Sequence, residues 1–306
     1  MGIWLEGRTL AGKIRDGVKE QVEHFRGLTN QVPGLVGILV GENPASKVYL
    51  GTKERTSQRL GIHSEILKFP GDIEKASLVE EIEKLNKRED VDGILVQLPL
   101  PPSFNPFEII ALISPEKDVD GFHPFSLGSL LWNQDGFKAC TPLGIIELLK
   151  ASNIDILGKR VVIIGRSLIV GKPLAAMMTN EHATVTTCHS KTENLPRVAS
   201  EADILVAAIG RAAYVTPDFV KPGATVVDVG MNQLKDKNKA KEFFGEDEKR
   251  EKDLQEKGYT LIGDVDPRVI EKAAHLTPVP RGVGPLTVAM LMRNTLEAFR
   301  RRKKFQ

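Results

Sequence analysis

The sequence predicts an α/β protein of two domains built on largely parallel sheets. Three observations carry that expectation. The chain has 306 residues, more than one small domain needs and suited to two of ordinary size. Short apolar runs alternate with amphipathic stretches of helical period, as β-α-β units require. The alternation breaks at a proline-rich segment after Leu98 and starts afresh after Thr141, so the chain changes character near its middle.

In the first half, residues 10–28 form a charged amphipathic stretch that predicts a helix, and Leu35–Val40 (LVGILV) reads as a buried strand. A helix over 44–60, a short strand over 66–69, a helix over 76–87 and the strand Val91–Leu98 follow. Pro99, Pro101, Pro102 and Pro106 mark a loop. A short helix over 107–113 then leads into the acidic turn Pro115–Gly121 (PEKDVDG). In the second half, 142–150 is helical, with Pro142 at a favourable first-turn position. The strand Val161–Gly165, a helix from about Val170, the strand Thr184–His189, a helix near 196–201 and the strands Ile204–Ile209 and Thr225–Val229 come next. Residues 235–257 hold sixteen charged side chains in twenty-three positions, a density that predicts a solvated insertion, helical or disordered, with no core face. A last amphipathic helix follows Pro285 and ends in Arg300–Lys304, five consecutive cations that suit a helix C-terminus better than a nucleic-acid patch.

Composition excludes several classes. Hydrophobic residues at 41% and charged residues at 27% mark a folded chain. A net charge of +2 gives no general attraction to nucleic acid. The longest apolar run, Ile204–Ile209, is too short to span a membrane. Residues 1–30 lack the apolar core of a secretory signal. Cys140 and Cys188 form neither a disulfide framework nor a metal-spaced pair, which predicts a reducing, cytoplasmic setting and no metal site.

Chemistry is suggested at four places. Gly165-Arg166-Ser167, after the strand VVIIG and before Gly171, is a strand–glycine–helix turn suited to a pyrophosphate, although it departs from G-x-G-x-x-G. The following strand ends in His189-Ser190-Lys191, where an NAD site usually carries an acid. A cation at Arg166 and a hydroxyl at Ser190 suit a 2′-phosphate instead, which predicts NADP unless Arg166 is merely a surface residue. Tyr49 and Lys53 lie four apart on one helix face, a spacing equally common on ordinary helices. The pair also matches the Tyr-x-x-x-Lys of short-chain dehydrogenases, but there it follows the cofactor turn rather than preceding it. Gln97 stands at the C-terminal end of a buried strand, where parallel sheets present ligands. Asp118 and Asp120 make a poor cation site by themselves and are expected to be solvated turn residues.

Taken together, the segments YLGTK (49–53), VDGILVQLPL (91–100), PEKDVDG (115–121), CTP (140–142), GRSLIVGKP (165–173), TVTTCHSKT (184–192), GDV (263–265) and 277–288 resemble the bifunctional methylenetetrahydrofolate dehydrogenase/cyclohydrolase family, in order and over nearly the whole chain. The resemblance implies a folate-binding catalytic domain over 1–140, completed by the helix 285–306, and a Rossmann-type NADP-binding domain over 141–284, joined by two long helices. It implies a cytoplasmic homodimer acting on tetrahydrofolate derivatives in one-carbon metabolism. By motif, Lys53 is the catalytic lysine, Tyr49 stacks on the folate, Gln97 supports the lysine, Asp120 holds the pterin, and Pro280 and Gly282 border the substrate. Gly165, Arg166, Ser167, Ser190 and Met231 match cofactor positions. Two features depart from the family pattern: Arg281 replaces a glycine in Pro-Val-Pro-Gly-Gly-Val-Gly-Pro, and the stretch 235–257 is long. Any positive φ at 281 would strain an arginine. Two other classes remain open. A different two-domain NADP-dependent dehydrogenase, similar to shikimate dehydrogenase, fits the alternation but not the Tyr49/Lys53/Gln97/Asp120 set. An inactive folate- or nucleotide-binding protein is hinted at only by Arg281.

Overall fold

A computed structural model describes residues 2–304. In chain order it comprises β1 (Ile3–Trp4), α1 (Gly7–Thr29), β2 (Gly34–Val40), α2 (Pro44–Arg59), β3 (His63–Phe69), α3 (Lys75–Lys87), β4 (Gly93–Val96), α4 (Pro106–Ile110), α5 (Pro124–Leu131) and α6 (Cys140–Ala151). Then come β5 (Arg160–Ile164), α7 (Gly171–Asn180), β6 (Thr184–Cys188), α8 (Leu195–Ala199), β7 (Ile204–Ala207), β8 (Thr225–Asp228), β9 (Asn232–Leu234), α9 (Lys237–Phe244), α10 (Glu248–Lys257), β10 (Thr260–Ile262), β11 (His275–Leu276) and α11 (Val283–Lys303). Two compact units result, one of Ala11–Cys140 with Val288–Gln306, the other of Met1–Leu10 with Thr141–Thr287.

The unit containing residues 11–140 is built on a three-stranded parallel sheet in the order β3-β2-β4. All seven residues of β2 are buried, the mark of a strand covered on both faces. Leu78, Ile82 and Leu85 of α3, spaced for one helix face, pack on Val36, Ile38, Ile94 and Val96 of the strands. Asp118 adds a parallel bridge beside Ile94, so the acidic turn is threaded along the sheet. The basic end of α11 is held by local ion pairs: Arg302 Nε lies 2.5 Å from Asp92 Oδ1, and Arg301 pairs with Glu297 and Asp135. Asp92 is fully buried and also accepts the Gly34 amide at 2.8 Å.

The other unit carries a six-stranded, wholly parallel sheet in the order β1-β11-β8-β7-β5-β6. Residues 2–10, expected with the N-terminal domain, belong here. Ile3 and Trp4 pair in parallel with His275 and Leu276, and two residues are too few to show a strand period in sequence.

A second correction concerns residues 235–257, which do have a core face. Ala240 of α9 and Leu254 of α10 pack with Leu234 and Ile262 of the antiparallel β9–β10 pair, with Phe243, Phe244 and Ala213 against them. Asp236 and Asp247 cap the two helices by accepting the Asn238, Lys239 and Arg250 amides. Two short helices need only one apolar position per turn or two, which an average over the segment conceals. Leu254→Ala should destabilise this subdomain by about 2–3 kcal/mol, in the range of other buried leucine truncations. Hydrogen exchange should then quicken within 232–262 and stay unchanged in β2 and β5. Unaltered exchange across 232–262 would return the segment to the solvated class.

Candidate active site

The strand order β3-β2-β4 reverses direction of winding at β2, the topological position at which parallel sheets present ligands beyond their C-terminal strand ends. Both flanking segments contribute side chains there. Asn43 caps α2, accepting the Ala45 and Ser46 amides, and Pro44 opens the helix. The buried face of α2 runs Ser46, Leu50, Lys53 and Ser57, at helical spacing, which places a lysine where an apolar residue would be routine. Gln97 follows β4 directly, its amide donating to Ile38 O at 2.9 Å.

The structure brings four of the expected residues together. Lys53 Nζ donates to Gln97 Oε1 at 3.3 Å and stands 4.0 Å from Asp120 Oδ2. It lies 5.9 Å from the centroid of the Tyr49 ring, one helical turn back. The side chains of Lys53 and Asp120 are only 7% and 12% exposed, so each depends on protein partners rather than water. Gln97 turns its own amide nitrogen to Leu98 O at 2.9 Å, which aims its oxygen at the lysine. Burial, and then the neighbouring Asp120, raise the Tyr49 phenol above its ordinary value, so it remains neutral.

Asp118 and Asp120 are not solvated turn residues; both are buried. Asp118 accepts the Phe122 and His123 amides at 3.2 and 2.8 Å and the Ser126 hydroxyl at 2.7 Å, tying the turn to the start of α5. Asn294 of α11 donates to Val119 O at 2.8 Å and Lys138 O at 3.2 Å, clamping the backbone on the residue before Asp120. Neither support is among the residues expected from sequence. A lone Asn in a helix carries no signal, but an Asp inside a stretch that must be buried carries one. Among the described residues no cluster of His, Cys, Asp and Glu could hold a metal.

In the other unit, the turn after β5 fits a dinucleotide. Gly165 has φ +129°, and a Cβ there would collide with the Ala208 carbonyl; one at Gly171 would strike the Gly165 carbonyl. The resulting close approach leaves backbone room beside the N-terminus of the ten-residue helix α7, at the point where the sheet order switches between β5 and β7. Ser167 Oγ accepts the Val170 and Gly171 amides at 3.1 and 3.3 Å, holding the turn open. Arg166, Ser167 and Ser190 are exposed around it, and Met231, 48% exposed, follows β8. Pro280 and Gly282 lie in this unit too, with Gly282 N donating to Pro278 O at 2.8 Å. Arg281 between them has φ +93° and pairs with Glu6 at 3.2 Å. Its side chain is half exposed, so this is a surface ion pair.

Two buried carboxylates outside the expected set organise the loops around this turn. Asp264 accepts the Ile209, Gly210 and Arg211 amides at 2.6, 3.0 and 2.8 Å and the Asn232 side chain at 2.9 Å. Asp228 accepts the Gly230, Asp264 and Val265 amides at 2.9, 2.8 and 3.0 Å. Desolvation pushes Asp228 up to about 7 despite those bonds. Their signal is present in TVVDVG and GDV, where an acid interrupts an apolar strand.

Family models match both halves of the chain: the tetrahydrofolate dehydrogenase/cyclohydrolase catalytic domain over residues 5–120 and its NAD(P)-binding domain over 139–303. The chain belongs to the tetrahydrofolate dehydrogenase/cyclohydrolase family. It is 50% identical over 301 residues to a bifunctional protein FolD of Koribacter versatilis, covering 98% of this chain and 97% of that protein. It resembles the crystal structure of FolD from Campylobacter jejuni with TM-score 0.89 and 40% identity, covering 99% and 100% of the two chains. A Trypanosoma brucei methylenetetrahydrofolate dehydrogenase-cyclohydrolase, solved with NADP cofactor and inhibitor, matches with TM-score 0.89 and 34% identity over 98% of both chains. Within this family the two-domain α/β fold expected from the strand alternation is the one observed.

Burial pushes the Asp118 carboxyl up to about 6, against the hydrogen bonds from Ser126, His123 and Phe122 that favour its charged form. A carboxyl whose folded value exceeds its unfolded value of about 3.9 favours folding most below that pH, and the contribution fades as pH rises toward 6. The Asp118 carboxyl carbon should therefore titrate in NMR with a midpoint near 6. A midpoint near 4 would mean that the three donors outweigh burial.

Proposed function

We propose that this chain oxidises 5,10-methylenetetrahydrofolate to the 5,10-methenyl cation with NADP⁺ and hydrolyses that cation to 10-formyltetrahydrofolate. The observation that carries the proposal is the grouping of buried Lys53 and Asp120 with half-buried Gln97 and Tyr49 on one sheet end. An inactive binding protein has no need of a buried lysine held by a neutral amide, and a dehydrogenase of another substrate class leaves the same four residues without a role.

The two steps demand different things of the protein. NADP⁺, when bound, takes the hydride. The methenyl cation left behind is stabilised by the lone pairs of both flanking nitrogens, so this step needs orientation more than proton transfer. Tyr49 offers a face for stacking. Asp120 offers two oxygens to the adjacent N–H groups of a pterin. Hydrolysis adds water to the methenyl carbon and breaks the carbon–N5 bond; the added oxygen gives up both its protons, one returning to N5 and the other leaving to solvent. Lys53 carries protons between the added water and N5. Gln97 orients the amine by accepting its hydrogen bond, with the Asp120 carboxylate 4.0 Å away.

Arg166 and Ser190 would hold the 2′-phosphate, with Gly165 and Ser167 at the pyrophosphate and Met231 toward the nicotinamide. The active form is proposed to be a cytoplasmic homodimer. No helix among the described residues is long and apolar enough to cross a membrane.

Lys53→Met keeps the aliphatic stem and removes the amine. Methenyl hydrolysis should fall by about 10²–10⁴-fold, the usual contribution of a proton-transfer group, while NADP binding persists. Hydrolysis at the unaltered rate would take Lys53 out of the chemistry. Arg166→Ala should raise KM for NADP⁺ about tenfold or more and leave KM for NAD⁺ within about twofold, since a charged hydrogen bond contributes about 1.5–3 kcal/mol. Equal effects on both coenzymes would deny it the 2′-phosphate.

A further inference from the structure

The two departures noted in the sequence meet in space. The Arg250 guanidinium of α10 stacks 3.5 Å from the Phe244 ring centre and donates to Val279 O at 2.8 Å and to Leu261 O. Its side chain is only 16% exposed, and burial lowers its pKa, so those carbonyls and Asp247 stand in for water. Val279 lies two residues before Arg281. The same cavity of about 410 Å³ is bordered by Phe244, Arg250, Arg281 and Glu6.

Arg281 itself holds a backbone conformation that L-residues avoid, with φ +93°. Such a residue persists only where its surroundings over-determine it. One flank is held by Glu6, which pairs with the Arg281 side chain, and by the Arg8 amide, which donates to Arg281 O at 3.0 Å. The other flank is held by Arg250 alone among the described side chains of α9 and α10. A planar fork suits this, because two carbonyls on separate segments are reached at once.

We propose that Arg250 is a positioning residue for folate, acting through the Pro278–Gly284 loop. This rests on the assignment of Pro280 and Gly282 to the substrate. The charged stretch 235–257 then buttresses a loop in which an arginine occupies a position suited to glycine.

The test uses the full-length chain in both reactions. Arg250→Ala, and Arg250→Gln should the first not fold, are expected to raise KM for methylene- and methenyltetrahydrofolate alike by about fivefold or more. The kcat values and KM for NADP⁺ should stay within about threefold, with Arg250→Lys intermediate. Adding Arg281→Gly to Arg250→Ala should recover most of the loss, because glycine adopts this φ without a clamp. An unchanged folate KM, or equal rises for folate and NADP⁺ without recovery by Arg281→Gly, would overturn the proposal. Hydrogen exchange at the Gly282 amide separates this from the functional assignment, since it needs no activity. The Arg250 variants should lose about tenfold or more of its protection, and undiminished protection would overturn the clamp whatever the chain catalyses.

Discussion

The buried amino group of Lys53 is the constraint on which the catalytic unit is organised. A lysine nitrogen cut off from water must be partnered by protein groups, and here the partners come from separate segments. Gln97 arrives because β4 runs parallel to β2 and ends opposite Ile38, two residues before β2 does. Asp120 arrives because its turn is threaded beside β4 and fixed by the Asp118 carboxylate and by Asn294 of α11. Remove any of these and the lysine is left with fewer partners in the same low-dielectric surroundings. The site is therefore an outcome of the sheet order rather than an addition to its surface.

The dinucleotide-binding unit solves a comparable problem with buried acids. Loops at the ends of β7, β8 and β10 leave backbone N–H groups with no strand to pair with. Asp264 and Asp228 accept six of these amides between them, and Asp264 takes the Asn232 side chain as well. Charged acceptors make stronger bonds than carbonyls do, which suits loops that must stay in place around a charged ligand. The cost is visible at Asp228, whose carboxyl is pushed up to about 7 by its burial.

Much of this was legible in sequence because apolar runs and their spacing report burial directly. The strands at 34–40, 93–96, 160–164, 204–207 and 225–228 and the helices between them follow the expected order. The motif residues Tyr49, Lys53, Gln97 and Asp120 converge because parallel strands bring their C-terminal ends to one edge. What was not legible depends on long-range pairing. Two-residue strands such as Ile3–Trp4 exist only through their partners. Asn294 and Arg250 act on backbone carbonyls, which every residue possesses, so no pattern of residue types points to them. The charged stretch 235–257 misled because four buried side chains, two of them in its flanking strands, suffice to fold it.

Lys53 and Asp120 share one buried contact, and a double-mutant cycle on methenyltetrahydrofolate hydrolysis measures whether they work as one unit. Lys53→Met, Asp120→Asn and the double variant would be compared by kcat/KM, with folding checked for each. Groups that depend on each other lose their shared contribution with the first substitution. The double variant should accordingly be at least about tenfold more active than the product of the two single losses predicts. Losses that multiply within about twofold would show two residues acting independently, and Lys53 and Asp120 would then not form one unit.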